Sequence, residues 1–303
     1  MSDLPPDLVA RLGPVRTEAR LSVERRVWDA KNRKGVRAFV GSVMFPWLVR
    51  TGLRVLGLAD RAYREFLDVR LVENIVIIPS LPEAFDGFRL LQITDLHSDL
   101  DPAWLARVIA RLEEAQFDRC VLTGDYHNEI GRPWAASMDL TLRLVPLLGP
   151  NPLAILGNHD FLAKVPLLEA GGVRVLLNEA VPIERDGARI WICGVDDAHL
   201  YGTHDLIRAS AGIPSGECRL LLSHSPETAC EAAGLGYALH LSGHTHGGQI
   251  CLPGGRIIVR KAPVPTALLA GPWRVGQMAG YTSRGTGSCT VPARLNCPPE
   301  ITV

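Results

Sequence analysis

The stretch FRLLQITDLHSDLDPAWLARVIARLEEAQFDRCVLTGD, residues 88–125, holds a complete strand–helix–strand unit. FRLLQIT (88–94) is an apolar run of the length of a buried strand. Pro102 opens an apolar-periodic helix to about Ala115, and CVLTG (120–124) is the next strand. A crossover of this size joins strands in parallel, and such crossovers are right-handed. Both strands end in side chains that bind metals: Asp95-Leu96-His97 after the first, Gly124-Asp125 after the second.

Further along the chain the rhythm repeats. A helical stretch over about 133–148 leads to the strand LAILG (153–157), and a helix from about Leu162 leads to VRVLL (173–177). Beyond 180 the texture is β-rich: VPIE, RIWICG, RLLLS, ALHLSG, RIIV and GYTSRG. Three more strand ends carry the same chemistry. LAIL is followed by Gly157-Asn158-His159-Asp160, RLLLS by His224, and LHLS by Gly243-His244-Thr245-His246. On an extended chain residues i and i+2 face the same side, so His244 and His246 project together. Open α/β sheets bind ligands at the carboxyl ends of their strands, and the five clusters are therefore expected to meet at one edge. The donors are carboxylate, amide oxygen and imidazole without thiolate, a set suited to Mn, Fe or Zn. Seven such groups exceed what one ion takes. They divide between two divalent ions if one carboxylate bridges, the arrangement that clamps an in-line displacement at phosphorus.

Composition excludes several alternatives. The 303 residues are 47% hydrophobic and 21% charged, enough to bury a sizeable core, and net charge is zero, so no global field points to nucleic acid. Residues 1–66 carry 13 Lys+Arg against 7 Asp+Glu, a basic leader on an acidic body. The seven cysteines are odd in number and show no CxxC spacing, which fits a reducing compartment. The start, MSDLPPDLVARLG, lacks the apolar core of a secretory signal, and cytoplasmic residence is expected. AFVGSVMFPWLV (38–49), bracketed by Arg37 and Arg50, is too short to span a bilayer and contains Pro46. Its continuation reads as an amphipathic helix, with Leu48, Val49, Val55, Leu56, Ala59, Tyr63 and Phe66 on one side and Arg50, Arg54, Arg61 and Arg64 on another. That pattern suits a helix in the headgroup layer of an anionic membrane, or one packed on the protein's own body. The expected division is a basic, helical leader over 1–70 and a catalytic domain over 71–303.

DLH, GD, GNHD, the isolated histidine of SHSP and GHTH, in that order, resemble the calcineurin-like metallophosphoesterases, from about Phe88 to the end. The tail YTSRGTG…ARLNCPPEI resembles the closing segment of a membrane-associated branch that includes UDP-2,3-diacylglucosamine pyrophosphatase-like proteins of lipid A biosynthesis. The resemblance implies an α/β (α+β) fold, a four-layer αββα sandwich with its dimetal site at the top of the two sheets, here with an N-terminal helical appendage. It implies one ion on Asp95, His97, Asp125 and His246, and a second on Asp125, Asn158, His224 and His244, with Asp125 bridging. His159 is implied beside the phosphate, donating a hydrogen bond or a proton to the leaving oxygen. Many relatives carry an acidic residue three after the bridging aspartate to orient that histidine. This chain has Asn128 there, with Glu129 next and His127 before it, and an amide orients an imidazole without stabilising its cation.

The remaining candidates are weaker. Arg284, in SRGTG, is placed to meet a substrate phosphate or to form a structural salt bridge. His127, His199, His204 and His240 read as surface or packing residues, Asp196-Asp197 as a turn or part of the rim, Asp160 as a brace, and the cysteines as small buried hydrophobes. The function expected is hydrolysis of a phosphodiester or pyrophosphate bond by a metal-bridging hydroxide, with manganese the ion of choice in assay. The enzyme would sit in the cytoplasm, peripherally on the inner membrane, acting on a lipid-linked substrate. A soluble phosphodiester is the alternative substrate. Two other functions compete. A non-catalytic scaffold gains nothing from a complete ligand set plus His159. In a dimetal amidohydrolase HxH usually comes on the first strand, and here it comes last.

Overall fold

A computed structural model of the chain describes residues 4–32 and 44–303. Strand β2 (Leu90–Ile93) pairs in parallel with β3 (Arg119–Leu122), β3 with β4 (Leu153–Ala154), and β4 with β5 (Arg174–Val175). On the other side of β2 lies the C-terminal β14 (Glu300–Thr302), antiparallel to it, and then β1 (Arg70–Val72). This completes a six-stranded sheet in the order β1-β14-β2-β3-β4-β5.

The chain then crosses to a second sheet. Here β6 (Glu179–Arg185) forms an antiparallel hairpin with β7 (Ala188–Gly194). Strands β8 (Cys218–Leu222), β9 (Leu239–Ser242) and β13 (Met278–Thr282) add in parallel, and β12 (Gly271–Val275) closes the edge antiparallel to β13. A small hairpin, β10 (Cys251–Leu252) with β11 (Arg256–Ile257), stands apart from both sheets.

Alternation along the strands assigns the layers. Leu91, Ile93, Cys120, Leu122 and Ala154 share a core with Trp104, Val108, Leu112, Met138 and Leu168, on the helices Ala103–Glu114, Ala135–Leu142 and Val165–Ala170. The opposite parity, Val121 and Leu153, meets Val181, Ile183, Ile192, Leu220, Leu222 and Leu241 of the second sheet. Cys193 and Leu221 face outward onto the helices Leu206–Ala209 and Ala229–Gly234. The result is helix, sheet, sheet, helix. Gln92 is a polar exception inside it: its amide donates to Thr123 Oγ1 at 3.0 Å and to Ser242 O at 2.9 Å, tying the two sheets together near their carboxyl ends.

The helices ahead of β1 pack on this body. Leu8 and Leu12 of Pro6–Leu12 enter the first outer core. From Pro14–Asn32, the fully buried Arg20 reaches Glu24 Oε1 at 3.2 Å and Asp196 Oδ1 at 3.0 Å, donates to Asp160 O at 2.6 Å, and lies 3.3 Å over the Tyr201 ring. Helix Phe45–Val55 carries Pro46 in its first turn, where the missing N–H costs no bond. The apolar stripe expected here divides in two. Val49 and Ala59 pack with Leu53 and Ala62 on Val291 and Ala293, and Phe66 enters the first core, while Leu48, Val55, Leu56 and Tyr63 are exposed, as are Phe45 and Trp47 outside the stripe. Residues 38–43 of the uncharged run lie outside the described residues. Among the described residues no helix is long and apolar enough to cross a membrane.

Candidate metal centre

Strands β2, β3, β8 and β9 and the loop after β4 deliver the seven ligand-type residues to the shared upper edge of the sheets. The backbone there is unusual. Asp95, His97, Asp125, His244 and His246 all have φ between 40° and 67°. The left-handed region costs an L-residue about 1–2 kcal/mol, and such residues cluster at functional sites. Main-chain bonds hold the strain in place: Asp95 N donates to Gly124 O at 2.9 Å, and His97 N to Asp125 O at 3.1 Å. Two glycines clear the space. A Cβ on Gly157 would overlap the Asp125 carboxylate and backbone, and one on Gly243 would overlap the Asp95 carboxylate.

Tautomers follow from what the outer nitrogens touch. His97 Nδ1 donates to His127 O at 2.9 Å, and His224 Nδ1 to Thr123 O at 2.7 Å, so each turns its Nε2 inward. His244 Nε2 donates to Lys261 O at 3.2 Å, which leaves its Nδ1 lone pair facing Asn158 Oδ1 at 2.8 Å. His224 Nε2 lies 3.1 Å from the same Asn158 oxygen and 3.3 Å from Asp125 Oδ2. On the other side of Asp125, His97 Nε2 is 3.7 Å from Asp125 Oδ2 and 3.1 Å from His246 Nε2. His246 Nε2 in turn lies 3.2 Å from Asp95 Oδ1, a buried oxygen with no hydrogen-bond partner.

Ligand-type atoms thus converge on two neighbouring points with Asp125 near both. Uncompensated acceptors at these separations are costly, and cations between them remove the cost. Burial holds His97, His244 and His246 well below the usual imidazole range, leaving their lone pairs free. At His224 burial also opposes the cation, but Asp125 outweighs it and raises the pKa to about 10, so its Nε2 carries a proton that an incoming metal ion would displace. The donor set fits two divalent ions of the Mn, Fe or Zn type. Asp95, His97, Asp125 and His246 would hold one, and Asp125, Asn158, His224 and His244 the other.

His159 lies over this centre. Its backbone N donates to Asp125 Oδ1 at 2.8 Å, its Nε2 is 4.0 Å from Asp125 Oδ2, and its ring meets that of His97 edge-on. Burial opposes its charge, but Asp125 and the Cys289 sulfur beside it raise its pKa to about 9. Asp160 is the brace beneath. Its Oδ2 accepts from Asp125 N at 2.7 Å and Gly157 N at 2.9 Å, and Lys164 Nζ pairs with its Oδ1 at 2.6 Å.

Several residues stand elsewhere than the sequence suggested. Asn128 Oδ1 accepts from Thr290 N at 2.8 Å, so the amide pins the tail loop, and Cys289 is the group beside His159. That cysteine is no inert core residue: Lys261 and His159 draw its thiol down to about 6 against its burial. Arg284 Nη1 pairs with Glu300 Oε2 at 2.7 Å, the structural salt bridge rather than a free cation. Asp196 and Asp197 are buried, the first on Arg20, the second accepting from Leu200 N and Tyr201 N. His240 packs on Trp273, and His204 lies 3.8 Å from Glu231. His199 is exposed, as its surface reading has it, and its ring lies tilted against that of His244 with centroids 4.1 Å apart. Glu227, Lys261 and Cys289 approach the centre from loops, and only Glu227, three residues after His224, stood near a recognised cluster.

Two packed sheets whose joined edge carries buried Asp and His groups around the half-buried Asn158 have the donor set of a metal-dependent hydrolase. Residues 88–248 match the calcineurin-like phosphoesterase family, and the chain belongs to it as a phosphoester hydrolase. It is 32% identical to the uncharacterized metallophosphoesterase YkuE of Bacillus subtilis (strain 168) over 255 residues, 80% of this chain and 87% of YkuE. Against the phosphodiesterase YaeI of Escherichia coli (strain K12) identity is 31% over 230 residues, 71% of this chain and 81% of YaeI. A transmembrane protein with metallophosphoesterase domain from Danio rerio is 28% identical over 312 residues, 96% of this chain and 67% of that protein.

Proposed function

We propose that the chain hydrolyses a phosphodiester or pyrophosphate bond in an amphiphilic substrate presented at a membrane surface. The carrying observation is the shared acceptor Asp125, which faces His97 on one side and His224 on the other at 3.7 and 3.3 Å. When bound, a pair of divalent ions, with manganese first choice in assay, neutralises phosphate charge and lowers the pKa of water. The chain's own residues do the rest. Asp125 fixes the separation of the two ligand groups, and His97, His224 and His244, each anchored by a backbone carbonyl, hold their lone pairs on line. His159, tethered through its backbone to Asp125, offers a hydrogen bond or proton to the departing oxygen.

Support for a diester comes from the relative named as a phosphodiesterase. The amphiphilic part is supported by the exposed Phe45, Trp47, Leu48, Val55 and Leu56 beside the exposed Arg50 and Arg54. The same helix is anchored to the body through Leu53 on Val291 and Ala293, which leaves the other side of the helix free. The tail resemblance makes UDP-2,3-diacylglucosamine the specific substrate to try. The test is a manganese-reconstituted assay comparing p-nitrophenyl phosphate, bis-p-nitrophenyl phosphate and UDP-2,3-diacylglucosamine in vesicles. Chelator-sensitive turnover of a diester or pyrophosphate above the monoester is expected. Turnover of the monoester alone, or none with any substrate, would overturn the proposal.

A further inference from the structure

Behind the turn that follows β9, two cysteines grip the chain at His246. His246, Gly247, Gly248 and Gln249 have φ of 51°, 57°, 84° and 60°, a left-handed run that two glycines make affordable. Cys251 Sγ donates to Gly247 O at 3.1 Å, and Cys297 Sγ lies 3.3 Å from His246 O and 3.4 Å from Gly247 O. The two thiols thus meet over one carbonyl, and they are hydrogen-bonded to each other. Each also covers a glycine. A Cβ on Gly247 would come within 2.9 Å of Cys297 Sγ, and one on Gly248 within 3.2 Å of Cys251 Sγ.

Hydrogen bonds hold the two cysteine segments side by side. Cys251 N donates to Leu295 O at 2.9 Å, and Asn296 Nδ2 donates to Cys251 O at 2.9 Å. Sulfurs already in contact need only side-chain rotation to bond, whereas cysteines set far apart would need the backbone to move. Cys297 is buried, but it lines an open cavity of about 600 Å³ together with Arg61, Arg70 and Arg284. A molecule as small as hydrogen peroxide fits that cavity.

We infer that Cys251 and Cys297 are an oxidative modification site, which a peroxide closes into a disulfide, weakening the ligand group that contains His246. The inference rests on the dinuclear reading proposed above. Cys297 Sγ attacks the peroxide: an S–O bond forms, the O–O bond breaks, and water leaves a sulfenic acid behind. Cys251 Sγ then attacks that sulfur. The S–S bond forms, the S–O bond breaks, and the hydroxyl departs with the thiol proton as a second water. Two thiols give up two electrons and two protons, and one peroxide becomes two waters. Both S–H donors are consumed, and the sulfurs draw in to about 2 Å from each other. Gly247 O then loses its contacts with both thiols, and His246 O loses Cys297 while keeping Arg294 Nη1 and Gln249 N. Outer contacts of a ligating residue are worth about 10–100-fold in metal affinity.

The test uses the full chain with Cys251→Ser and Cys297→Ser. Each protein is stripped of metal, treated with hydrogen peroxide and desalted, and half of it is then reduced with dithiothreitol. Peptide mapping by mass spectrometry reads the cross-link, and calorimetric titration with manganese reads the affinity. Oxidised wild type is expected to carry the Cys251–Cys297 disulfide, to bind one of its two ions about 10-fold more weakly, and to recover on reduction. Each serine variant keeps a hydroxyl donor for Gly247 O. Both should therefore bind manganese about as reduced wild type does, before and after peroxide, and two variants guard against a folding defect in one. Absence of that cross-link from oxidised wild type, a cross-link that leaves the affinity unchanged, or an equal loss in the serine variants would overturn the inference. Reduced wild type that binds no manganese would instead overturn the dinuclear reading, and would do so before any oxidant is added.

Discussion

At the scale of single residues, the centre depends on one carboxylate and on the space around it. Asp125→Ala is expected to lose both ions and all turnover, whereas His246→Ala should chiefly weaken the ion it shares with Asp95 and His97; elemental analysis of the two variants checks this. Gly157→Ala tests the space alone. Its methyl group would displace the Asp125 carboxylate without removing any ligand, so metal content and turnover should both fall, the latter by about 10²-fold for a misplaced centre. His159→Ala should keep its ions and lose roughly 10²–10⁴ in rate, and lose less with p-nitrophenol than with an alkoxide leaving group. His240 carries a pH prediction. Burial pushes its pKa down to about 3, below the 6.5 of an unfolded histidine. The unfolded chain then binds the extra proton between these values, so stability is full above pH 6.5 and falls as pH drops toward 3. Urea midpoints at pH 7 and 4.5 should show wild type losing about 2–3 kcal/mol more than His240→Gln.

At the scale of elements, the helices ahead of β1 differ in what they bury. Pro14–Asn32 commits Arg20 to the interior between Glu24, Asp196 and the Asp160 carbonyl, and Glu24 Oε1 accepts from Leu162 N at 2.8 Å. Removing the guanidinium strands two buried carboxylates, so Arg20→Met should cost about 3–5 kcal/mol in chemical denaturation. Lysine should not rescue it, because a point charge cannot span partners set by a planar fork. Helix Phe45–Val55 buries only Leu53 and turns a row of apolar side chains outward. Trp47→Ser with Leu48→Ser should therefore leave turnover of a soluble diester intact while abolishing flotation with anionic vesicles. Equal flotation of the double variant and wild type would remove the membrane arm of the proposal.

At the scale of the whole molecule, the two sheets meet at their upper edge in the cluster of acceptors that the proposed metal ions would complete. Ligand binding to the native state alone stabilises it by mass action, about 2.7 kcal/mol at a hundred times Kd. Chelation is expected to lower the thermal midpoint by several degrees, and added manganese to restore it. In Asp125→Asn the chelator should have little effect. A wild-type midpoint indifferent to chelator would mean that the converging acceptors are satisfied in some other way.

The sequence by itself determined the strand–helix rhythm, the strand ends that carry the Asp, Asn and His clusters and the split between an αβ half and a β-rich half. Local periodicity and residue type settle those features, because a buried strand must be apolar and a metal ligand must be Asp, Asn or His. It did not determine β1, β12 or β14. Two of these have three residues, and all are strands only because neighbours pair with them. The fate of the arginines was also decided by partners distant in sequence: Arg20 buried with Asp196, Arg284 spent on Glu300, Arg50 and Arg54 left in solvent. The same holds for His199, Glu227, Lys261 and Cys289, brought to the rim by loops that are separated in sequence and meet only when the sheets pack. Side-chain chemistry is local, but which groups share a site is a matter of non-local packing, and only the tertiary structure supplies that.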